Sequence, residues 1–124
     1  MEVFVQIRKT YNLLGEVMDL SQQMAESLDR NDSTSFEILL SMRREPIQEL
    51  AAARERVTDL LNEMPQQDSA YVRAILNGGS GQGALEEKLQ DQVASNARLW
   101  EQVTELDRKL SLMVLREDSM YEKK

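Results

Sequence analysis

Two prolines and one glycine cluster are the main interruptions in a chain that otherwise carries apolar residues at helical spacing almost throughout. The prolines are Pro46 and Pro65, and four of the five glycines fall in NGGSGQG at residues 77–83. Glycine and proline are the strongest local breakers of regular structure, so their placement cuts the chain into a few long segments. Within each segment apolar residues recur every three or four positions, the period of an α-helix, and no strand signal appears. The expected fold is therefore all-α: an antiparallel helical bundle of three long helices and one short one. It forms a single domain over 1–124, with 77–83 as a flexible loop and 116–124 as a frayed tail.

The first segment, from about Val3 to Leu28, carries Phe4, Ile7, Tyr11, Leu14, Met18, Ala25 and Leu28, with Ser21 in the one polar slot. Leu13, Val17, Leu20 and Met24 form a second stripe beside it. Together they cover roughly 180° of helix surface, wider than the ~100° that faces one neighbour. Two arrangements use that width. In the ordinary one, the helix lies between two others of its own bundle. In the other, one stripe is internal and the stripe rich in Met and Leu receives a partner helix.

A polar turn at Arg30–Ser33 separates this helix from the next. Thr34 with Glu37 fits a capping box, and Asp32 or Ser33 is an alternative cap. The second helix is expected from Thr34 to Met64, stopped by Pro65, with Phe36, Leu40, Arg43, Ile47, Leu50, Arg54, Val57, Leu61 and Met64 on its stripe. The short connection makes these two helices antiparallel. A short helix follows, capped by Asp68 or Ser69 and ended by Asn77-Gly78. The last helix is expected from Ala84 to about Leu115. Its stripe is Leu85, Leu89, Gln92, Asn96, Leu99, Val103, Leu106, Leu110 and Met113, flanked by Trp100 and Asp107 among others.

The stretch SMRREPIQEL, residues 41–50, breaks the pattern twice. Pro46 lacks the N–H that would bond the Met42 carbonyl, yet the apolar register continues on both sides of it. The helix is thus expected to bend at Pro46 rather than stop. Arg43 occupies an apolar position one turn earlier. Arg43 and Arg54 on the second helix, and Asn96 and Asp107 on the last, are each separated by about three turns, so two polar rungs are geometrically feasible. Antiparallel helices would pair Arg43 with Asp107 and Arg54 with Asn96; parallel helices would reverse the pairing. A guanidinium also has the option of laying its stem on the stripe with its head in water, the expectation favoured for Arg54.

Charge and composition remove several function classes. A net charge of −7 leaves no basic footprint for nucleic acid or an anionic membrane. There is no cysteine and no histidine. A thiolate site, a disulfide and the commonest general base and metal ligand are therefore all missing. NGGSGQG lacks the lysine and the strand-to-helix setting of a phosphate loop. The abundant carboxylates sit on solvated helix faces, where neighbours such as Glu105 and Lys109 account for them. No enzyme, metal site or cofactor is expected, and the absence of a leader or a membrane-length apolar run suggests a cytoplasmic protein.

With the helices placed, the chain resembles the flagellar export chaperones of the FlgN/FliT type, small acidic all-helical proteins. The resemblance is carried by the Asn31-Asp32 step after the first helix and by Leu39, Leu40, Arg43, Ile47 and Leu50 in the second. The last-helix run ASNARLWEQVTELDRKLS and the DSMY near the terminus complete it. Pro46 stands where the family pattern usually has an ordinary helical residue. The resemblance covers most of the chain. It implies a cofactor-free chaperone that binds amphipathic C-terminal helices of hook–filament junction or cap proteins and delivers them for export. The expected partner-binding surface is Leu13, Val17, Leu20 and Met24 on the first helix, with Leu99, Trp100, Val103, Leu106, Leu110 and Met113 on the last. Weak homodimerisation would hide such a surface in isolation. The competing expectation is a structural coiled-coil subunit, or a small helical adaptor, of a larger assembly.

Overall fold

The computed structural model describes residues 2–122, with side chains through residue 115. Four helices account for nearly all of it: α1 (Glu2–Asp29), α2 (Ser33–Glu63), α3 (Gln66–Leu76) and α4 (Ala84–Glu122). No strand is present among the described residues. α4 continues to Glu122, past the end expected near Leu115. Apolar periodicity stops there, but neither glycine nor proline follows to break the backbone. Residues 123 and 124 of the expected frayed tail lie outside the described residues.

The turns follow from local chemistry. At the end of α1, Asn31 adopts a left-handed φ of 57°. The Asn31 N–H donates to the Leu28 carbonyl and the Asp32 N–H to the Ser27 carbonyl, the hydrogen-bond pattern of a Schellman turn. Asp32 then starts α2: its carboxylate accepts from the Ser35 backbone N–H at 3.0 Å and from the Ser35 hydroxyl at 2.6 Å. The cap is thus Asp32 rather than the Thr34–Glu37 box. α2 passes through Pro46 without interruption and ends at Glu63, two residues before Pro65. α3 begins at Gln66, one turn or so before the caps expected at Asp68 or Ser69, because Pro65 itself takes the N-cap position. It ends in a second Schellman turn, where Gly78 has a φ of 97° and Gly79 donates to the Ala74 carbonyl. The glycine-rich segment expected to be a flexible linker is tied at two points. The Gly81 N–H donates to the Gln90 side chain and the Gln82 N–H to the Tyr71 hydroxyl.

α1 is the central element. It packs along α2 on one side and α4 on the other, while the backbones of α2 and α4 do not approach one another among the described residues. The core runs the length of α1 in three clusters. Val3 meets Val57, Leu61, Val72, Ile75 and Leu89 at one end. Leu13, Leu14 and Val17 meet Leu50, Leu99 and Val103 in the middle. Met24 and Leu28 meet Phe36, Leu40, Leu110 and Met113 at the other end. Contacts between α1 and α4 advance in the same direction along both chains, so these two helices are parallel and α2 runs antiparallel to both.

This arrangement corrects the surface expected on α1. Leu13, Val17 and Met24 are buried, with Met24 only 1% exposed, because they pack against α2 and α4 of the same chain. Leu20 is half-buried, in a shallow recess with Met42 and Pro46 of α2. The stripe is therefore core in the folded chain. Met24→Ala should lower the unfolding free energy by about 2–5 kcal/mol in a urea titration, the range for a buried methionine replaced by a cavity. A partner surface would have tolerated the change.

Asp32 supplies a pH dependence of known sign. Its two bonds from Ser35, the hydroxyl bond first, hold its carboxyl below the ordinary aspartate value. The stability it contributes is fully present above the unfolded aspartate pKa and is lost as pH falls through the lower folded value. Asp32→Asn keeps a capping side chain without titrating there. The difference in melting temperature between the wild type and Asp32→Asn should therefore narrow as the pH falls below about 4.

Candidate functional site

Three helices packed with α1 in the middle leave an open side, where α2 and α4 face each other across a gap. α3 lies over part of that gap: its backbone approaches both α2 and α4 but not α1. In effect α3 is the fourth helix of a bundle, yet it has 11 residues against 31 in α2 and 39 in α4. It covers only the end where Val57, Leu61 and Leu89 lie. Beyond it a groove of about 350 Å³ remains open. Leu14 and Val17 of α1 form its floor, Ile47, Leu50 and Ala51 of α2 one wall, and Trp100, Val103 and Thr104 of α4 the other. A larger recess, about 560 Å³, lies between α1 and α4 on a different face, but Arg98, Glu101, Glu105 and Lys109 surround it and its apolar content is Met18 and Leu106.

Side chains bridge the gap that the backbones leave. At one end of the groove the Arg43 guanidinium donates to Asp107 at 2.8 Å and to the Ser21 hydroxyl at 3.0 Å. One arginine from α2 thereby joins α4 and α1. Ser21 is 0% exposed, so the polar slot on α1 is an acceptor placed under Arg43. The Arg43 side chain is 13% exposed and that of Asp107 54%. Arg43 Nε is buried without a partner among the described residues. At the other end, next to α3, Arg54 lies over Trp100 with its guanidinium carbon 5.4 Å from the ring centroid. From Arg43 to Arg54 the groove spans about 16 Å of helix, roughly three turns.

The antiparallel option for Arg43 is the one realised: it pairs with Asp107. Asn96 does not meet Arg54. Its amide donates to the Ile7 carbonyl of α1 at 2.9 Å and accepts from Gln92, so it sets the register of α4 on α1. Arg54 remains exposed, as the snorkelling expectation required, but its head lies on an indole rather than in open water.

The α4 residues expected to bind a partner separate into three groups. Leu110 is core, and Leu99, Val103 and Met113 pack partly buried against the core clusters. Leu106 faces the recess with Met18, away from the groove. Trp100 is 46% exposed on the groove wall, with Val103 beside it. The groove's α2 wall was not anticipated as a surface. Ile47 was placed on the inward stripe and is 44% exposed, because α2 turns Pro46 and Ala53 inward instead.

Neither a family model, nor a curated protein, nor a solved structure matches this chain. No helix among the described residues is long and apolar enough to cross a membrane.

The Arg43 bridge has a measurable consequence. In a double-mutant cycle, Arg43→Ala with Asp107→Ala should give a coupling of about 0.5–1 kcal/mol, since one partner is half exposed. Arg43→Ala with Asn96→Ala should give none.

Proposed function

We propose that this protein is a helix-binding export chaperone whose client lies in the groove between α2 and α4. One observation carries the reading: the bundle has four positions, and the fourth is filled over only about a third of its length by α3. A client helix of about three turns, laid beyond the end of α3, completes the fourth position and covers Ile47, Ala51 and Trp100. Nothing in the fold of the chain itself requires that face to be filled, so a client is free to come and go.

The energetics suit a transient partner. Three or four apolar anchors contribute roughly 1.5–3 kcal/mol each on burial. Association costs about 4 kcal/mol or more in lost freedom. The remainder corresponds to affinities on the order of micromolar or weaker. The resemblance of the helix pattern to flagellar export chaperones points the same way and would make the clients amphipathic C-terminal helices of hook–filament junction or cap proteins.

Trp100 is the only tryptophan in the chain, which makes the groove its own reporter. Titration with peptides from the C-termini of junction and cap proteins should shift Trp100 emission to the blue, saturably and with one-to-one stoichiometry. Ala51→Glu, at an exposed position in the wall, should weaken binding at least tenfold while leaving the melting temperature within about 2 °C of the wild type. If no such peptide moves the emission, the flagellar assignment fails.

A structural coiled-coil role draws on a different observation. Leu112 and Leu115, three residues apart near the end of α4, are 54% and 60% exposed. Under that reading the protein would associate through the far end of α4, and Leu112→Glu would dissolve the oligomer seen by sedimentation while leaving Trp100 emission unchanged.

A further inference from the structure

We infer that Arg54 is a specificity residue, selecting for the groove a partner helix that carries a carboxylate beside its apolar stripe. The inference rests on the groove being the client seat.

Charge is distributed unevenly across this site. The chain as a whole has 22 acidic and 15 basic side chains. Yet the groove is lined by two cations, Arg43 and Arg54, and one anion, Asp107. Asp107 and Arg43 are bonded to each other, and Arg43 donates a second bond to Ser21, so this anion and this cation are already committed. Arg54 is not. Among the described residues no carboxylate lies within 4 Å of it, and its guanidinium donates no hydrogen bond. One turn away along α2 stand Leu50, Ala51, Val57 and Thr58, none of them acidic. Across the gap it meets an indole instead of an anion.

Among the described residues, Arg54 is thus the one cation lining the apolar groove that has no counter-ion. A planar guanidinium presents five donors in a fork that matches a carboxylate. A helix entering the groove with an Asp or Glu on its flank satisfies those donors, while its apolar side chains cover Trp100, Ile47 and Val103. A helix bearing lysine at that place meets Arg54 as a like charge and finds Asp107 already bonded. The overall acidity would suggest a basic partner; the groove selects the opposite sign.

The test uses the full-length chain and two amphipathic peptides sharing one leucine pattern at i, i+3, i+4 and i+7. One carries glutamate, and the other lysine, on both flanks of the stripe, so the result does not depend on orientation. Binding is read from Trp100 emission and from the anisotropy of a label on the peptide. The glutamate peptide should bind at least threefold more tightly at low ionic strength, and the difference should shrink at about 1 M salt, where screening is short-ranged. Arg54→Gln should bring the two affinities together, and Arg54→Glu should reverse their order. Equal binding by the wild type, or a preference that survives Arg54→Gln, overturns the inference and leaves the groove as a seat. Failure of both peptides to bind overturns the seat and the inference together. Emission that shifts with protein concentration in the absence of peptide identifies a second copy as the occupant and overturns it as well.

Discussion

The breadth of the apolar surface on α1 is the constraint on which the rest of this structure depends. A helix facing one neighbour hides a stripe of about 100°, and α1 has to hide nearly twice that. It does so by lying between α2 and α4, with Leu13, Leu14, Val17, Met24 and Leu28 all buried. Once α1 is satisfied from two sides, α2 and α4 have no reason to close on each other. Each has placed a buried set against α1, Leu50 from α2 and Leu110 from α4 among them, while Ile47 and Trp100 stay exposed. The open side of the bundle is therefore a consequence of where the hydrophobic residues were placed, and α3 closes only as much of it as eleven residues reach.

The Arg43 cluster meets a second requirement of this geometry. Two helices packed on a common third one, without backbone contact between them, are free to splay unless something joins them. Arg43 reaches from α2 to Asp107 on α4 and to Ser21 on α1, tying all three helices at one level. A hydrophobic bridge at that level would have needed α2 and α4 to come closer and would have filled the groove. A long polar side chain spans the gap and leaves the space beside it empty. Such a contact adds little stability, with Asp107 half in water, but it fixes the relative register of α2 and α4.

Much of this was legible in the amino-acid pattern, and the parts that were not share a cause. Arg43 and Asp107 stood out as one of two possible pairings, because both are polar residues on or beside an apolar stripe, but the relative direction of α2 and α4 that selects this pairing was not legible. Asn31-Asp32, Pro65 and Asn77-Gly78 announced the ends of helices because each residue type has a specific local conformation or bond to offer. Asn96 escaped, since its partner is a backbone carbonyl of Ile7, and backbone acceptors leave no mark on a sequence. The assignment of Leu13, Val17 and Met24 to a partner failed for a related reason. Apolar side chains look the same whether a neighbour from the same chain or from another one covers them. What sequence does not carry is the rotation of each helix, which buried Pro46 and Ala53 and left Ile47 and Arg54 at the edge of the groove.

An unfilled apolar groove carries a risk, because exposed tryptophan and isoleucine invite association with any other apolar surface. Arg54 bears on that risk as well as on recognition. Its guanidinium over Trp100 keeps a charge at an exposed apolar point of the rim. At an exposed site such a contact is worth about 0.5–1 kcal/mol, small enough for an entering helix to displace. Lysine would hold its hydration more strongly and match a carboxylate less well. On the proposed reading, the same side chain discourages indiscriminate apolar contacts and rewards a partner that brings a carboxylate, so the groove stays open without becoming adhesive.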